Sequence, residues 1–187
     1  MLTYFSNFQA NHTVMHWAIE SFRSKFPEKI PHIVTTNIEH CATELPLKAW
    51  QKEGKIKITF VPVENGIVEK DQIRNAVQDS TCLVTVMMAN NETGVIQPIK
   101  EIVQMVKTIN ESRKENNQFE ILTHTDAAQT FGKIPVSVKE CPVDYITIVG
   151  HKVVRYSHII IQGCRNRPGQ PDHGLASIFQ IHEKESP

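Results

Sequence analysis

Apolar positions along this chain fall in short runs separated by polar segments, and the spacing within each run sets an element. Ile33-Val34-Thr35 is a β-branched run of strand type, followed by a polar stretch that ends at Glu39-His40. Residues 43–52 read as a helix that closes near Gly54. Residues 56–61 alternate apolar and polar side chains, as strands do. Asn65-Gly66 marks a turn, and residues 70–78 read as a short helix. The continuous apolar run at 82–88 has the length of a buried parallel strand. Ile99, Ile102, Val103, Val106 and Ile109 share one face of a helix introduced by Pro98. A polar loop at 115–118 leads to a strand at 119–125, and residues 143–149 form another.

Strands and helices thus alternate. Repeated β-α-β order predicts an α/β fold, a mostly parallel sheet with helices on both faces. Residues 1–162 are assigned to that domain. The first ten residues show no clear period, and no internal repeat is evident. From Gly163 the chain is rich in Pro, Gly, Arg and His without a core pattern, so residues 163–187 are expected to form a loose tail.

Composition removes several function classes. Lys+Arg and Asp+Glu both number 20, so the formal net charge is zero and nothing electrostatic points to nucleic acid or an anionic membrane. No stretch approaches a membrane span, and the N-terminus lacks a basic, then apolar, signal pattern. Cys41, Cys82, Cys141 and Cys164 are dispersed and form no C-x-x-C pair, which argues for reduced thiols and a cytoplasmic location. His12 and His16 stand four residues apart, but no third ligand is evident, so no metal is assigned.

The chemistry collects at the strand ends. In an open α/β sheet, ligands bind beyond the carboxyl ends of parallel strands. In chain order those ends reach His40, then Asn90-Asn91-Glu92, then Asp126 with Gln129 close behind, then His151-Lys152. A lysine amine freed of its proton is a nucleophile toward an aldehyde. A carboxylate can keep a pyridine nitrogen charged, so that the ring draws electrons from a substrate. Histidine can stack on a ring or move a proton, and amides can bond a ring hydroxyl. Such a set suits pyridoxal 5'-phosphate (PLP). Singly, each residue has a plainer reading: Lys152 as a solvated lysine, Asp126 and His40 as helix caps, Asn91 as a turn residue.

The matched order outweighs those readings. Glu39-His40, Ala89-Asn90-Asn91-Glu92-Thr93-Gly94, His124-Thr125-Asp126-Ala127-Ala128-Gln129 with Gly132-Lys133, and Gly150-His151-Lys152 occur in sequence. Over roughly residues 10–152 the chain resembles the NifS-like family of cysteine desulfurases and selenocysteine lyases, fold-type-I PLP enzymes of the class-V aminotransferase group. The resemblance implies that the chain is part of such an enzyme's large domain. It implies Lys152 as the covalent (Schiff-base) ligand of PLP and Asp126 as partner of the ring nitrogen. It makes His40 the ring-stacking residue that helps move protons, Asn91 and Gln129 contacts to the ring and its hydroxyl, and His151 a phosphate contact. The implied activity is cleavage of selenocysteine to alanine with release of selenium, by a homodimer acting on a small amino acid. The alternatives are a cysteine desulfurase supplying sulfur and a non-catalytic truncated form that binds partners.

Three departures accompany the resemblance. Where the family has a Gly-Thr phosphate turn, this chain reads Ser6-Asn7-Phe8-Gln9. Val153-Val154-Arg155-Tyr156 replaces a Tyr-Gly-Pro segment. The smaller domain and its reactive-cysteine loop find no match, so Cys164 is not nominated as a nucleophile. The chain alone is therefore expected to turn over little substrate.

Overall fold

A computed structural model describes residues 7–137, 141–149 and 159–163. Its core is a sheet in the order β2-β1-β3-β4-β5-β6, made of β1 (His32–Thr36), β2 (Lys57–Val61), β3 (Thr81–Thr85), β4 (Leu122–Asp126), β5 (Tyr145–Val149) and β6 (Ile159–Gly163). The first five strands run parallel, and β6 joins β5 antiparallel. The α/β class and the mostly parallel sheet are as the sequence predicts. β6 was not anticipated; it straddles the domain limit placed at 162, and residues 164–187 lie outside the described residues.

Helices α1 (Asn7–Lys25) and α2 (Cys41–Lys52) cover one face, and α3 (Lys70–Ala76) and α4 (Ile99–Glu115) the other. On the first face Met15, Ala18 and Phe22 of α1 and Leu47 of α2 pack against Ile33, Leu83 and Leu122. On the second, Ile73 of α3 and Ile102, Val103 and Val106 of α4 pack against Val34, Val84 and Ile121. The alternation of Ile33 and Val34, and of Leu83 and Val84, between the two clusters follows from the two-residue period of a strand. Each such side chain, once fully buried, contributes roughly 1.5–3 kcal/mol.

Local signals explain the ends. Gly54 and Gly66 have φ of 70° and 80°, which a side chain would strain, and they close α2 and the turn after β2. The buried apolar run at 82–88 forms a continuous ladder only to Thr85, then continues through single bonds from Val86 N–H to His124 O and from Met88 N–H to Asp126 O. β2, at the sheet edge, runs from exposed Lys57 through half-buried Ile58, Thr59 and Phe60 to buried Val61 rather than alternating in burial.

Candidate functional site

Strand order 2-1-3-4-5 reverses direction between β1 and β3, and this switch point opens a crevice at the carboxyl edge. The loops after β1 and β3 and the end of β4 meet there. His40, Met87, Ala89, Asn91, Asp126, Ala128 and Gln129 line one small depression. The structure therefore brings together four of the predicted site residues: His40, Asn91, Asp126 and Gln129. His151 and Lys152 lie outside the described residues. β5 ends at Val149 on the same edge, and Asp126 pairs with Thr147 across β4 and β5.

Each wall is held by its own backbone chemistry. Asn90 builds the loop after β3. Its Oδ1 accepts from the N–H groups of Glu92 and Thr93 and from the Thr93 hydroxyl, while its Nδ2 donates to Ile38 O at 3.0 Å. Gly94 completes the turn at φ 73° and donates to Asn90 O. Asn90 is buried and structural, whereas Asn91 is exposed and free to meet a ligand. Gln129 is half-buried, and its Oε1 accepts from Lys133 Nζ at 3.3 Å.

His40 is the N-cap of α2, with Nδ1 accepting from Ala42 N–H at 3.1 Å. Capping fixes the tautomer: the neutral ring carries its proton on Nε2, which is the atom left to exchange one. Asp126 is buried. Its Oδ1 accepts from Ala128 N–H at 2.9 Å and its Oδ2 from Asn11 Nδ2 at 2.7 Å. The plainer reading of Asp126 as a helix cap does not hold, because a turn rather than a helix follows it.

Three groups outside the predicted site residues support the site from behind. His124, two residues before Asp126 on the same face of β4, bridges Thr85 Oγ1 (2.8 Å) and Thr147 Oγ1 (3.0 Å). Burial pulls its pKa down to about 4, against the opposing pull of Asp126, so the ring is neutral. Asn11, on α1, reaches Asp126 and Thr43. Glu39 Oε1 accepts from Thr36 Oγ1 (2.6 Å) and Met87 N–H (3.0 Å), tying the His40 loop to the end of β3.

Burial, reinforced by the charge of Asp126, pushes Glu39 up from its ordinary 4.5 to about 8, although bonds from Thr36 and Met87 oppose the shift. The folded chain thus holds a proton that the unfolded chain releases. This contribution to stability is full below 4.5 and is lost as pH rises through 8. Glu39→Gln keeps the acceptor but cannot titrate. Urea denaturation should give similar stabilities for variant and native chain near pH 5 and a more stable variant at pH 9. Parallel pH profiles would contradict the shift.

An imidazole, two amides, a buried carboxylate and the small Ala128 line the depression, a set of groups that suits a flat ring bearing a basic nitrogen and a hydroxyl. The described residues therefore fit the ring of PLP.

The class-V aminotransferase family matches residues 10–155, and the chain belongs to that family, whose members include PLP-dependent enzymes. Its relatives include a selenocysteine lyase of Xenopus laevis, 46% identical over 154 residues, which cover 77% of this chain and 36% of that protein. The human selenocysteine lyase is 40% identical over 159 residues, or 77% of this chain and 36% of that one. The cysteine desulfurase IscS of Methanosarcina thermophila is 41% identical over 138 residues, or 73% and 31%. Among solved structures, a NifS-like protein superposes with a TM-score of 0.67 at 32% identity, covering 92% of this chain and 47% of that one. The chain spans about a third of the length of these curated relatives. No described helix is long and apolar enough to cross a membrane.

Proposed function

We propose that this chain supplies the ring-binding half of a PLP-dependent site that cleaves selenocysteine to alanine and releases selenium. The observation that carries this is the single depression joining His40, Asn91, Asp126 and Gln129 at the switch point. PLP, when bound, supplies an electron sink for bonds at the substrate's α-carbon. The chain's residues then have distinct tasks. Lys152 holds the cofactor covalently, and His151 contacts its phosphate. Asp126 receives the proton-bearing ring nitrogen. Asn91 and Gln129 bond the ring hydroxyl. His40 stacks on the ring and exchanges a proton at Nε2, because Nδ1 is committed to Ala42 N–H.

Cysteine desulfuration is the second reading, favoured by the identity to IscS. Parallel assays of selenocysteine and cysteine on a homodimer with full-length relatives' boundaries separate the two. For the site itself, the chain is incubated with PLP, reduced with borohydride and peptide-mapped. A label on Lys152 is the expected result. A label on Lys133 or Lys100 instead would remove Lys152 from its role.

A further inference from the structure

We propose that Asn11 is a positioning residue that fixes the carboxylate of Asp126 for the cofactor ring. The proposal rests on Asp126 being the ring partner.

Asn11 sits on α1 and is fully buried. Its Nδ2 donates to Asp126 Oδ2 at 2.7 Å and to Thr43 Oγ1 at 3.1 Å, so one amide joins α1, α2 and β4. Its Oδ1 is buried without a partner, one of two such side-chain atoms among the described residues. A buried amide with an orphaned oxygen is unfavourable, and turning the amide over would be the ordinary remedy. Turning it would set Oδ1 against the Asp126 carboxylate, oxygen to oxygen. The observed orientation is therefore dictated by the charge on Asp126, with the unsatisfied acceptor as the cost. Ala128 N–H holds the other carboxylate oxygen. Clamped on both oxygens, Asp126 cannot rotate away from the ring nitrogen, which meets the need for preorganised donors and acceptors at a cofactor.

The test is a double-mutant cycle read as PLP dissociation constants. Asn11→Leu removes the donor and the orphaned oxygen while keeping the same branched four-atom side-chain skeleton, and a thermal melt checks that the variant is folded before binding is read. It should weaken PLP about tenfold, equivalent to one charge-assisted hydrogen bond, and should add nothing in an Asp126→Ala background. Asn11→Asp is the second variant. It places a carboxyl against Asp126, so its deficit relative to the native chain should be large at pH 8 and shrink toward pH 5 as the new group gains a proton to donate. A packing role alone would not produce that pH dependence. If Asp126→Ala weakens PLP while Asn11→Leu does not, or if the two losses add, the proposal for Asn11 fails and the site stands. If Asp126→Ala leaves PLP binding intact, the assignment of Asp126 fails and this proposal with it.

Discussion

Asp126→Ala should weaken PLP binding by roughly 10- to 150-fold, the equivalent of the ~1.5–3 kcal/mol of a hydrogen bond to a charged group. Asp126 is buried in the lining of the depression, and its two oxygens already accept from Asn11 Nδ2 and Ala128 N–H. The alanine leaves the ring nitrogen with no anion and both donors without an acceptor. Asp126→Asn is informative because it keeps the shape. With its Oδ1 kept on Ala128 N–H, the new amide points its NH₂ at Asn11, whose own amide can then turn and accept with the otherwise unpartnered Oδ1. The isostere should therefore lose PLP as the alanine does, because the anion is gone, while melting no earlier than the native chain. Visible absorption after PLP incubation and dialysis measures the first effect, and a thermal melt the second. An unchanged visible band in both variants would remove Asp126 from the site.

The sequence was legible where periodicity and sheet geometry coincide. Ile99, Ile102, Val103 and Val106 mark α4 by spacing alone, and parallel strands force their polar carboxyl ends onto one rim. That is why His40, Asn91, Asp126 and Gln129 stood out as strand-end residues before any contact was known, while their roles came from the matched motif order of the family resemblance. Helix α1 was not read, although Val14, Met15, Ala18, Ile19 and Phe22 lie at helical spacing and are buried. His12, Thr13, His16 and Trp17 interleave with them and blur the apolar stripe. β6 was missed because Ile159, Ile160 and Ile161 follow the point where the resemblance ends. Asn11 and Glu39 carry no local signal for their roles. Asn11 meets a residue 115 positions away, and Glu39 one 48 positions away, so only the folded chain shows either contact.

The second large effect lies at the opposite end of the sheet and concerns stability alone. Arg113→Ala should destabilise the fold by about 3–4 kcal/mol. Arg113 is buried on the last turns of α4. Its guanidinium donates to four carbonyls, those of Phe119 (2.9 Å), Asp79 (3.3 Å), Thr81 (3.5 Å) and Gln78. Those carbonyls belong to the chain entering β3 and β4, so one planar fork satisfies the amino ends of two strands. Burial lowers its pKa, but the nearby Asp79 opposes the shift, and the fork remains charged. One helical turn earlier, Asn110 pairs both its amide groups with Ile121 N–H (2.8 Å) and O (2.9 Å), continuing the same seam. Alanine at 113 leaves the carbonyls short of donors and opens a void behind them. Arg113→Met, which fills the void but donates nothing, should recover only the packing part. Arg113→Lys cannot span all four carbonyls with one ammonium and should fall between. Urea denaturation at constant slope reads the loss, equivalent to a drop of roughly 10 °C in melting temperature for a domain of this size. PLP affinity of the folded protein should stay unchanged, because the carboxyl rim is untouched. A loss under about 1 kcal/mol would mean that water replaces the guanidinium at these carbonyls without penalty.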